Sequence, residues 1–121
     1  MIELREVIQQ LLKSVHQSVF FHSAPSKIQY PYIVYDMEIY DLGEDVWLVT
    51  MEVDGWDDDK DSESLETLLS NINDQLNKTS IVTKNFAMIV ALERIMPLSD
   101  EKDKTINRRR YVYEGRLYKR V

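Results

Sequence analysis

Two stretches of strict alternation limit what this chain can fold into more than anything else in it. In YIVYDMEIY, residues 32–40, Ile33, Tyr35, Met37 and Ile39 fall on one side. Tyr32, Val34, Asp36, Glu38 and Tyr40 fall on the other. Residues 46–54 repeat the pattern, with Trp47, Val49, Met51 and Val53 opposite Leu48, Thr50, Glu52 and Asp54. Period-two alternation is the mark of a strand with one face in a core. Pro31 cannot donate a ladder hydrogen bond, which suits the start of a strand or an edge. A short turn with Gly43, free to take a positive φ, makes the pair an antiparallel hairpin.

Around this hairpin the spacing predicts a helix from Met1 to about Val15, with Leu4, Val7, Ile8, Leu11, Leu12 and Val15 at i, i+3, i+4, i+7. Val19–Phe21 can add a small strand. A second helix follows the acidic run 57–61, with Asp61 or Ser62 as cap, Leu65, Leu68, Leu69, Ile72 and Leu76 as its stripe, and Asn77 as its stop. NFAMIVALERI, apolar on both faces, predicts a strand well inside the sheet. Pro97 and the polar residues after it predict a flexible loop. The closing NRRRYVYEGRLYKRV predicts a last strand, with Gly115 marking a bulge or a close approach. The expectation is one α+β domain over residues 1–121, two helices on one face of a mostly antiparallel sheet in the order α-(β)-β-β-α-β-β.

The 121 residues carry a net charge of −6, unevenly placed. Residues 36–66 hold 13 acids against Lys60 alone, whereas 106–121 hold Arg108, Arg109, Arg110, Arg116, Lys119 and Arg120 against Glu114. Two readings follow. The charges are two solvated faces, or they are two unlike patches that join copies of the chain head to tail, because unlike patches favour heterologous contacts and penalise self-pairing.

Chemistry is harder to find. His16 and His22 share no helical face and have no cysteine beside them, there being none in the chain. The acidic run 57–61 fails a calcium loop at its sixth position, Ser62, and its twelfth, Leu68. The three glycines are scattered, which gives no phosphate cradle. No catalytic, cofactor or metal residues are expected, and no apolar run approaches the ~20 residues of a membrane span. The N-terminus is broken by charges, unlike a signal peptide, so cytoplasmic synthesis is expected. Arg108, Arg109 and Arg110, with Arg116, Lys119, Arg120 and interleaved tyrosines, suit a small nucleic-acid-binding module on the C-terminal basic strand. Against it, alternation puts Arg108 and Arg110 on one face and Arg109 with Tyr111 and Tyr113 on the other, and the overall acidity is the reverse of the usual footprint.

Taken in order, the N-terminal helix, YPYIVY, the run VWLVTMEVDGWDDDKDSESLETLLSNINDQLN and the closing RRRYVYEGRLY strand resemble the tail-terminator, or tail-completion, proteins of long-tailed bacteriophages. Neck and head-completion proteins share the length and charge. The resemblance implies a non-enzymatic virion protein without cofactor, made in the bacterial cytoplasm and placed at the tail–head junction. It implies a ring, commonly a hexamer, that ends growth of the tail tube and joins the head. Partners would be other copies of itself, the major tail tube protein and a head-completion or connector protein, with DNA sliding through and no membrane. On that reading Asp36, Glu38, Glu52, Asp54, Arg108, Arg110 and Arg116 are the subunit-interface candidates. Asp100, Glu101, Lys102, Asp103 and Lys104 form a candidate loop for docking to tube or head.

Overall fold

The computed structural model describes residues 2–59, 62–99 and 105–120. Its elements are α1 (Ile2–Lys13), β1 (Val19–Phe21), β2 (Tyr32–Gly43), β3 (Val46–Asp57), α2 (Glu63–Leu76), β4 (Thr79–Val82), β5 (Phe86–Ser99) and β6 (Asn107–Lys119). One six-stranded sheet runs β1-β2-β3-β6-β5-β4. Only the β1–β2 pair is parallel. This is the expected α+β fold with one strand more, β4.

Alternation decides which face is covered. Ile33 and Tyr35 of β2, Val49, Met51 and Val53 of β3, Met88 and Val90 of β5, and Tyr113 and Leu117 of β6 are buried with Leu4, Ile8 and Leu12 of α1 and Leu65, Leu69, Ile72 and Leu76 of α2. Both helices therefore lie on one face. Gly55 lets α2 come close: a Cβ there would stand 2.8 Å from Leu65 Cδ1. The two fully buried tyrosines have satisfied hydroxyls, as buried polar groups require. Tyr35 donates to Gln9 Oε1 at 2.6 Å, and Tyr113 to Asn73 Oδ1 at 2.9 Å.

The hairpin turn differs in detail from expectation. Gly43 has a φ of +85° and sits at a register shift, while the two turn residues proper, Glu44 and Asp45, also have positive φ, 55° and 62°. That is the primed two-residue turn whose twist matches its strands. Ser62 is the residue preceding α2 but makes no side-chain cap; Asp57 instead accepts from Ser64 Oγ at 2.8 Å. Asp61 lies outside the described residues. Asn77 stops the helix as expected, and its Oδ1 accepts the Leu92 N–H at 2.8 Å.

Strand β5 departs furthest from its prediction. It is not buried on both faces: β4 pairs only Ala87–Val90, and Ile89 is 61% exposed. Pro97 does not end it but pairs with Arg109 inside it. Beyond β4 this part of β5 has a neighbour on one side only, where a missing N–H costs least. Gly115 marks a close approach, since a Cβ would lie 2.7 Å from the Ile89 carbonyl oxygen. The register shift lies across the ladder, between Leu92 and Arg94.

Candidate functional site: the helix-free face

With both helices on one side, the even-numbered residues of β2, β3 and β6 line the other. The register places Val34, Asp54 and Arg110 side by side, and likewise Asp36, Glu52 and Val112. Asp54 is the focus. Arg108 Nη2 reaches its Oδ2 at 2.7 Å, while Arg110 holds both oxygens through Nε and Nη2 at 2.8 and 2.9 Å. Arg110 Nε also meets Glu52 Oε2 at 2.9 Å. The Asp54 side chain keeps 9% of its surface in water, against 28% and 27% for the two arginines. Bidentate, partly desolvated pairing of this kind is the strong form of the carboxylate–guanidinium contact. Hydrogen bonding to Asp54 outweighs burial and raises the Arg110 pKa above its ordinary value.

Aromatic rings extend the cluster. The Arg108 guanidinium lies 4.6 Å over Trp56, and Trp56 stacks on Tyr32 at 5.1 Å with 13° between planes. Tyr30 continues the row, 5.4 Å from Tyr32. Asp36 stands directly opposite Glu52, an unfavourable pairing of like charges. His22 Nδ1 lies 2.9 Å from Asp36 Oδ2, and Arg110 serves Glu52. Apart from Tyr30, these residues line an open groove of about 430 Å³, together with residues 23–25.

The sequence-predicted site residues thus divide. Asp54, Glu52, Arg108 and Arg110 come together, with Asp36 beside them. Expected to meet across copies, the first four neutralise one another within a single protomer, because β6 returns to pair with β3. That corrects the charge argument for head-to-tail joining. Glu38 lies nearer the β2–β3 turn and accepts the Tyr40 hydroxyl, which raises the Tyr40 pKa by hydrogen bond and charge. Arg116 is apart, exposed, and without an ion pair among the described residues. Around it are Leu48, Ile89, Ser80 and Tyr118, and Ile89 and Tyr118 are at least half exposed. The loop Asp100, Glu101, Lys102, Asp103, Lys104 lies outside the described residues.

Arg109 points to the helix side, where its Nη2 lies 3.8 Å from Glu66 of α2. Sequence reasoning missed His22, Tyr32 and Trp56 as members of the cluster. Alternation does put Tyr32 and Trp56 on the face of Asp54, so a signal for those two was present. Among the described residues no group of three or more His, Asp or Glu is placed to hold a metal ion. No helix among them is long and apolar enough to cross a membrane.

No family model matches this chain, and no curated protein does. Solved structures do match, 28 chains in all. One belongs to the virion of a native gene transfer agent particle, at 13% identity and a TM-score of 0.75. The likeness covers 92% of this chain and 91% of that one. At so low an identity the two share a fold, end to end.

Proposed function

We propose that this chain is a structural protein of a phage-type virion. It forms a ring at the head-proximal end of the tail tube, stops the tube's growth and joins it to the head. The observation that carries this reading is the end-to-end fold likeness to a chain of a virion particle, in agreement with the ordered sequence features that resemble tail terminators. The helix-free face is compatible with it. Arg108 and Arg110 are engaged by Asp54 and Glu52, so a passing DNA phosphate meets occupied guanidiniums beside the acids Asp36 and Glu38. Unengaged cations are what phosphate binding needs. The same pairing weighs against the nucleic-acid-binding alternative.

The test has two arms. Sedimentation and native mass measurement of the purified protein, alone and with tail tubes, should give one discrete ring. Electron microscopy should place it at a single end of each tube. Tubes that stay uncapped and grow overlong in its presence would overturn the terminator role. Binding to a head connector in place of the tube would identify another neck component. Tight, strongly salt-dependent binding of duplex DNA by the monomer would favour the nucleic-acid module.

A further inference from the structure

The sheet has free edges at both flanks, and they lie at the same height. Beyond β1, which pairs only Ile33–Tyr35, no strand among the described residues lies beside the outer edge of β2 between Met37 and Gly43. At the other flank β4 has β5 on one side and, among the described residues, no strand on the other. The ladder connects Tyr40 to Leu48, Leu48 to Arg116, Arg116 to Ile89, and Ile89 to Ser80. Tyr40 and Ser80 are therefore the two ends of one row across the sheet, both exposed.

A third open stretch is guarded, and the contrast is informative. On β5 beyond β4, the Leu92 N–H is taken by Asn77, a bulge follows, and Pro97 comes next. Bulges and prolines are how natural sheets prevent edge-to-edge association. The edge strand β4, Thr79-Ser80-Ile81-Val82, carries neither proline nor charge, and Val82 is 59% exposed. On β2, Asp36 takes the Met37 N–H and Asp41 the Gly43 N–H, which brackets the open segment around Ile39.

We propose that the free edge of β4 in one copy pairs with the free β2 edge of the next, so that the sheet continues from copy to copy around the ring. The inference rests on the ring reading above and names the contact that builds it. Because β2, β6 and β4 run one way and β3 and β5 the other, copies turned about an axis along the strands present β4 parallel to β2. The contact is heterologous, joining two unlike edges, as closure into a ring demands. Main-chain hydrogen bonds supply it, in the manner of strand addition.

The chain has no cysteine, so introduced thiols report cleanly. Tyr40 and Ser80 lie four strand spacings apart within one protomer, roughly 19 Å at ~4.8 Å per strand, too far for an internal disulfide. Mild oxidation of Tyr40→Cys/Ser80→Cys, or of Glu38→Cys/Ser80→Cys should closure stagger the edges by two residues, is expected to give a ladder of disulfide-linked oligomers ending at the ring number. Either variant giving the ladder supports the proposal, with unchanged circular dichroism confirming the fold. Wild-type rings demonstrated by native mass while neither variant cross-links would overturn the edge contact and leave the ring standing. Ser80→Cys alone forming a covalent dimer would overturn it in favour of a two-fold contact. Absence of any wild-type ring, in solution or on tubes, would remove the ring and this contact together.

Discussion

The two ends of the helix-free face are built on opposite terms. At the end near Trp56, charge is abundant but engaged: two arginines pair with two acids, Arg108 keeping a buried Nε without a hydrogen-bond partner, and stacked aromatic rings cap the group. At the end near the Glu44–Asp45 turn, Arg116 sits among exposed apolar side chains and has no counterion among the described residues. What this teaches is that charge counted along a chain is not charge offered at a surface. The arginine-rich strand that most suggested a partner is the part already occupied, and the quieter end keeps its groups available.

The contrast can be broken most easily at Asp54. Asp54→Ala strands Arg108 in a partly buried site and leaves Arg110 with Glu52 alone; losing the shared partner of such a cluster costs ~3 kcal/mol, the low end for buried pairs because both arginines retain solvent contact. Urea denaturation measures it, and a loss under about 0.5 kcal/mol would mean the cluster is mere surface decoration. Next is Gly115→Ala, beneath the apolar end. Its Cβ meets a backbone oxygen of β5, which cannot rotate away, so an overpacking cost of about 2 kcal/mol is expected in the same assay.

Smaller still is Arg116→Ala, expected to move stability by less than about 0.5 kcal/mol, as for any surface side chain with no partner to lose. Were it to cost as much as Asp54→Ala, the two ends would not differ as described. The smallest effect is spectroscopic. Tyr40 is half exposed, and the Glu38 carboxylate, accepting its hydroxyl hydrogen bond, holds its pKa above the ordinary value for a tyrosine. Since the folded value is raised, this contact favours the fold at pH below the ordinary tyrosine pKa and is lost as pH rises past the raised one. Glu38→Gln should lower the Tyr40 ionisation midpoint, read by ultraviolet absorbance against alkaline pH. An unmoved midpoint would show that the contact does not persist in solution.

Much of the architecture was legible because alternation is a strong signal. It assigned Tyr35 and Met51 to the core, and it separated Arg109 from Arg108 and Arg110. Strand β4 was missed because four residues, TSIV, are too few to show a period. β5 was misjudged because alanines at 87 and 91 with Ile89 read as apolar, although Ile89 stands exposed on that side. The Asp54 cluster was half visible. Parity put acid and arginines on one face, but their adjacency depends on β6 passing back beside β3 after α2, β4 and β5, which no local pattern encodes. His22 reaches Asp36 only because β1 pairs alongside β2, again a matter of topology.

The chain's two tryptophans sit at opposite ends of β3, and their surroundings could hardly be less alike. Trp56 lies sandwiched between the Tyr32 ring and the Arg108 guanidinium, whereas Trp47, its indole nitrogen buried without a hydrogen-bond partner, has Lys119 6.0 Å from its ring. Each is thus a built-in fluorescent gauge for its own half of the strand. Replacing either with phenylalanine would let melting at one extremity be followed while the other stays dark.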